Sequence, residues 1–271
     1  MMDASRPDPV RAATRACATC RCASAGSESG VALVVAVMAT ALVAGVVAAL
    51  VIVTSADVFI AANVGAANEA AYAAEAVFER SLAEVRDAPD LDVILAGSAS
   101  SFRDGAPSGL RTLPDGSHID LAQVLSQASC HKLTNCSTAD LDAVRQDRPW
   151  GAMNPRWRLH GYGSLDPAVG GIRTGLPVYV VAMVADDPAE TDGDPLRDGV
   201  QVGPDPNPGA GVLLIRGEAF GRRSAHRAVE ATVVRRELAA RALWNAADSA
   251  VRGSPPPMLP VVQVVAWRDV R

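Results

Sequence analysis

The sequence predicts an α+β chain in which a long amino-terminal helix, membrane-spanning in its first half, packs on an antiparallel β-sheet. Three observations predict it. No charged residue interrupts the chain from Val31 to Ala56. An apolar stripe at helical spacing continues through Ile60, Val64, Ala67, Ala71, Ala74, Phe78, Leu82 and Val85, with Asn68, Glu69, Glu75, Glu79, Arg80 and Glu84 elsewhere on the surface. Beyond Pro89 the texture changes to short apolar segments broken by Gly, Pro, Ser and Asp. The domains accordingly read as a leader over 1–30, the long helix over 31–87 and a globular α+β domain over 88–271.

The run from Val31 to Ala56, which includes Gly45, forms a helix of about 39 Å at ~1.5 Å per residue, enough for a ~30 Å hydrocarbon core with some tilt. It exceeds the h-region of a cleavable signal, about 7 to 15 residues. Val53-Thr54-Ser55-Ala56 still offers small residues for a late cut. Ahead of the run, Arg6, Arg11, Arg15 and Arg21 outnumber Asp3, Asp8 and Glu28, which orients the amino end toward the cytoplasm and the remainder outward. The lipid bilayer is therefore a partner. Asp57 marks the exit, and the helix should end near Asp87, because Pro89 disfavours helix at the residue before it.

Five strands follow: Arg156 to Gly161, Val178 to Ala185, Val212 to Phe220, Ala228 to Arg235 and Val261 to Trp267. VYVVAMVA, from Val178, is almost wholly apolar and reads as a central strand covered on both faces. HRAVEATVVRR, from His226, alternates in part and reads as half exposed. The short turn around Gly221 to Ser224 pairs the third and fourth strands as a hairpin. Ala88 to Trp150 and Asp186 to Gly211 read as irregular loops, and Leu238 to Val251 as a further short helix before Pro255-Pro256-Pro257.

With 25 basic against 30 acidic side chains and no basic, aromatic-rich face, the composition argues against nucleic acid as a partner. CATCRC holds Cys17, Cys20 and Cys22 but no second ligand pair to complete a zinc site. If the apolar run spans a membrane, CHKLTNC lies outside the cytoplasm, where a short Cys130–Cys136 disulfide loop is expected. The run from Asp186 to Gly199, with Asp187, Glu190, Asp192, Asp194 and Asp198, gathers carboxylates into one loop, the oxygen-rich chemistry a Ca²⁺ ion needs. Asp192, Asp194 and Asp198 fit parts of a calcium-loop spacing, without the ordered alternation and final Glu of an EF-hand; a solvated turn is the preferred reading, and no metal or cofactor is assigned. His118, His131, His160 and His226 show no metal or nucleophile spacing and read as surface or satisfied core residues. Trp150, Trp157, Trp244 and Trp267 read as packing residues, and Arg222-Arg223 and Arg235-Arg236 as solvated charges. No catalytic residue is assigned, and the chain does not read as an enzyme.

A basic leader ending in Gly30, followed at once by an apolar helix from Val31, resembles a type IV prepilin, whose dedicated inner-membrane peptidase cuts after that Gly. Most major pilins carry a Glu five residues into the mature chain, where this sequence has Val35. That departure is a feature of minor, tip-initiating subunits. A lone carboxylate in hydrocarbon is costly without a partner, and a subunit placed first has no neighbour to supply one. The stretch from Ala32 to Val85, with Ile60-Ala61-Ala62-Asn63 and Tyr72-Ala73-Ala74-Glu75-Ala76, is similar to the amino-terminal domain of PilX-like minor pilins; Val264 to Arg271 resembles their ending less specifically. The resemblance implies a pilin-like fold and a minor pilin acting in pilus initiation, assembly or tip contact. Its implied partners are other major and minor pilins, prepilin peptidase and an inner-membrane assembly platform. The implied course is cleavage at Gly30 and Val31, methylation and entry into a fimbrium, with the carboxy-terminal domain periplasmic until assembly. Three readings stand beside it: a minor pseudopilin of type II secretion, an unprocessed single-pass inner-membrane protein with a periplasmic scaffold domain, and a secreted hydrolase or binding domain released after Ala56.

Overall fold

The computed structural model describes residues 28–97, 100–113, 115–165, 178–190, 192–199, 209–239 and 258–270. The chain divides into two units, Met1–Val58 and Phe59–Arg271. In the first, the described residues belong to the opening half of helix α1, Glu28–Asp87. The helix thus starts three residues ahead of Val31, and it stops where Pro89 requires. Cys17, Cys20, Cys22 and the leader arginines lie outside the described residues.

The second unit is built on a five-stranded antiparallel meander in the order β3 (Arg158–Ser164), β4 (Tyr179–Asp186), β5 (Val212–Phe220), β6 (His226–Ala239) and β7 (Met258–Val270). All five strands were legible in the sequence, and β5 has its predicted bounds. Every residue of β4 is buried, as its apolar run requires. Alternation sorts its side chains onto two cores. Val180, Ala182 and Val184 join Leu213 and Ile215 of β5 against the second half of α1; Tyr179, Val181, Met183 and Ala185 join Leu214 on the opposite face. Helix α2, Leu91–Leu95, capped by the Asp90 side chain, adds Leu91, Ile94 and Leu95 to the first core.

The buried line of α1 runs through Ala66, Ala70, Ala73, Ala74, Val77, Phe78, Ser81 and Val85. The predicted stripe held at Ala74, Phe78 and Val85, but Ile60 and Val64 are exposed, and Ala67 and Ala71 are only half-buried. Close approach explains the choice of alanines. A Cβ at Gly217 of β5 would lie 2.6 Å from the Ala74 carbonyl oxygen, so backbone rides on backbone there. Phe78 closes the far side with its ring edge-on to Trp267, 4.7 Å between centroids.

Residues 88–150, expected to be irregular, contain the cover for the second face. A small ribbon, β1 (Leu110–Thr112) with β2 (His118–Asp120), leads into α3, Leu121–Cys130. Asp120 caps α3 by accepting the Ala122 N–H at 2.8 Å. Leu121, Val124 and Ala128 then lie at helical spacing against the sheet, with Trp157 and Tyr162. Cys130 at the end of α3 is disulfide-bonded to Cys136. A short α4, Thr138–Leu141, follows under a Ser137–Asp140 capping box.

Two further expectations are corrected. Leu238 and Ala239, assigned to a helix, belong to β6, because Leu238 pairs with Leu259 and Ala239 with Met258; the rest of that segment, with Trp244, lies outside the described residues. The middle of β6, read as half exposed, is buried from Ala228 to Ala231, since both faces of the sheet are covered there.

Candidate functional site

From Val31 to Ala56 the described part of the first unit presents an uncharged, almost wholly apolar surface. Val31, Leu33, Val35, Leu42, Val46, Leu50 and Ile52 are all more than half exposed. Soluble chains rarely leave a contiguous apolar surface of that extent bare, and such surfaces mark membrane or protein contacts. The few hydroxyls are satisfied within the helix: Thr40 donates to the Val37 carbonyl at 2.9 Å, Thr54 to Leu50 at 2.9 Å and Ser55 to Val51 at 2.7 Å. A helix with its backbone paired internally and its hydroxyls turned back on its carbonyls asks nothing of a hydrocarbon solvent. One helix, within Gly30–Asp87, is therefore long and apolar enough to cross a membrane. Gly30 is exposed in its first turn, where amides have no intrahelical partner, and a side chain at Gly30 or Gly45 would meet open space.

Among the described residues of the second unit, three clusters of ionisable side chains stand out. The first joins α1 to β3. Between Leu159, opposite Met183, and Gly161, opposite Ala182, His160 is an extra residue in β3, and this bulge accompanies the burial of its ring beside α1. There His160 Nε2 lies 2.7 Å from Glu84 Oε2, while Ser100 and Ser101 donate to Glu84 Oε1 at 3.0 and 3.2 Å. Burial pushes the Glu84 carboxyl up, but His160, Ser100 and Arg80 outweigh it and hold the group down at about 2. The order is hydroxyl, carboxylate, imidazole. A nucleophile needs the imidazole in the middle, so this cluster reads as structural.

The second place is a row across the sheet. Arg216 Nε meets Glu218 at 2.5 Å and its Nη1 meets Glu230 at 3.4 Å; Arg268 closes on Glu230 at 2.5 Å and His226 on Glu218 at 2.8 Å. Burial pushes Glu218 up, and the His226 and Arg216 contacts bring it below its ordinary value. Beside the row, Trp157, Arg148 and Leu214 help line a cleft of about 430 Å³. The other two histidines lie at the surface, His118 against Thr112 and His131 against Asp147. Arg222, read as a solvated charge, reaches Glu69 of α1 at 3.0 Å.

The third place is acidic throughout. Asp186, Glu190 and Asp198 bring carboxylate oxygens within 4.8 Å of one another. Asp186 and Glu190 are buried, and Asp198 is half-buried. Of the three residues read from calcium-loop spacing, only Asp198 joins this cluster. Asp192 is exposed and accepts the Asp194 N–H, and Asp194 accepts the Leu196 N–H, so both shape turns as expected. Desolvation first, then repulsion from Glu190, raises Asp186 to about 8. Asp198 is also raised, chiefly by burial. Asp186 belongs to the acidic run noted in the sequence, but spacing does not single it out, because it closes an apolar strand and resembles the first residue of a turn.

Comparisons with protein-family models, with curated proteins and with solved structures each return no match.

Proposed function

We propose that the protein is a minor type IV pilin, anchored by residues 31–56 of α1, cut between Gly30 and Val31, and acting in the initiation or tip of a pilus. One observation carries this reading: a single helix joins a bare, uncharged apolar half to a half that supplies one cover of an antiparallel sheet. The bare half is matched to two successive environments, lipid before assembly and neighbouring apolar helices after it. Each removes it from water at roughly 25 cal/mol per Å² of apolar surface. Val35 leaves the segment with no carboxylate to neutralise, which suits a subunit that enters first. The globular domain is then periplasmic, an oxidising location in which the Cys130–Cys136 bond persists.

Co-expression of the full chain with a prepilin peptidase, followed by intact-mass measurement, tests the reading. The expected product begins at Val31 and remains in the membrane fraction. A mass that retains the leader rejects the pilin assignment in favour of an unprocessed inner-membrane protein. A soluble product beginning near Asp57 rejects both.

A further inference from the structure

We propose that Asp186, Glu190 and Asp198 together hold one divalent cation of the calcium class at the end of strand β4. The inference is independent of the pilin reading. Its first support is Asp186, only 2 % exposed, whose two carboxylate oxygens are both buried without a hydrogen-bond partner at bonding geometry. Buried polar groups are otherwise almost always satisfied, and an ionised carboxylate is the costliest one to leave bare. The second support is its company, two further carboxylates with oxygens within 4.8 Å.

The local sequence is poor in cations. From Asp186 to Gly211 the sequence has seven acidic residues and one basic residue, Arg197. The Arg197 guanidinium is paired with Asp92 of α2 at 3.2 Å and is mostly exposed. Among the described residues, neither Asp186 nor Asp198 has an ion pair with Arg, Lys or His. This sets Asp186 and Asp198 apart from Glu84 and Glu218, each of which meets a basic group.

The surroundings hold the carboxylates in place. Glu190 Oε2 accepts the Gly199 N–H at 2.7 Å, Asp198 Oδ1 accepts the Gly211 N–H at 2.8 Å, and the Asp198 N–H is held by Asp92 at 2.9 Å. Any side chain at Gly209 would collide with Glu190 Cγ, so the following segment packs directly on the cluster. An all-oxygen donor set selects a hard cation. Carboxylates from a strand end and an irregular loop suit the variable 6 to 8 ligand geometry of Ca²⁺ better than the strict octahedron of Mg²⁺. The ion would tie β4, the 187–199 loop and the start of β5 together.

The test uses the full chain in detergent micelles, stripped with EDTA and titrated calorimetrically with CaCl₂ and separately with MgCl₂. One Ca²⁺ per chain is expected, with a melting midpoint raised by about 5 to 10 °C at roughly a hundredfold excess over Kd. Asp186→Asn is expected to weaken Ca²⁺ binding by about tenfold or more, and Asp192→Asn to leave it unchanged. Should Asp186→Asn fail to fold, Glu190→Gln carries the same expectation. The proposal is overturned by a wild-type chain with neither binding heat nor a melting shift, by wild-type affinity in the folded cluster variant, or by Mg²⁺ binding as tightly as Ca²⁺.

Discussion

Against α1 the central strands present Val180, Ala182, Val184, Ile215 and Gly217; against α3 the same strands present Val181, Met183 and Leu214 and then a row of Arg216, Glu218 and Glu230. The first face is closed by volume, with Ala74 backbone seated on Gly217. The second is closed in part by charge, each buried carboxylate meeting a cation. The difference predicts how each fails. The α1 face cannot accept an added atom, and the α3 face cannot lose a charge.

The largest effect is expected from Arg216→Met. Removing one partner of a buried ion pair leaves the other uncompensated, and a loss of about 3 kcal/mol is expected in urea unfolding. This is the low end of the usual range, because His226 and Arg268 still serve Glu218 and Glu230. A triple change that also makes Glu218 and Glu230 apolar is expected to recover most of that loss; if it compounds the loss, the α3 face is held by volume as well. Gly217→Ala comes next. It adds one carbon 2.6 Å from a backbone oxygen that cannot rotate away, at a cost of about 2 kcal/mol. A neutral result would show that α1 lifts freely from the sheet.

The smallest effect is pH-dependent and lies where the α1 side becomes polar. Glu84 is held at about 2 in the fold, below the ~4.3 of an unfolded glutamate. Its stabilisation is therefore complete above pH ~4.3 and is lost as pH falls through the folded value. Glu84→Gln is expected to cost about 1 kcal/mol at pH 6, discounted for a partly exposed group, and to converge on the wild type only as pH falls below about 2. Parallel curves across that range would remove Glu84 from the acid limb of stability.

How much of this was legible depended on whether chain-local pattern matched what each residue meets. The five strands were readable because β-branched runs and Gly- or Pro-rich breaks are local signals. So was the end of α1, set by Pro89. The phase of the α1 stripe was misread because alanine is only weakly apolar, and Gly217, far away in sequence, decides which alanines are buried. Helix α3 was missed although Asp120 followed by Leu121, Val124 and Ala128 is a capped helical pattern; its intervening Gln and Ser residues hid the face. The bulge that accompanies the burial of His160 has no sequence signal here. At the acidic cluster, spacing selected Asp192, Asp194 and Asp198, whereas the fold gathers Asp186, Glu190 and Asp198 because β4 carries Asp186 into the interior.

The seat of Ala74 on Gly217 also has a mechanical meaning. A helix laid on a smooth apolar sheet could slide, trading one set of contacts for another of similar worth. Here a slide of one turn, about 5.4 Å, would bring either Ala70 or Phe78 to the glycine. Val77 Cγ1 and Phe78 Cβ already lie 3.1 and 3.2 Å from where a Cβ on Gly217 would stand, so a slide that carries the Phe78 ring onto the glycine meets a steric stop. Gly217 therefore acts as a detent: a pull along α1 meets a ratchet tooth rather than a greased track.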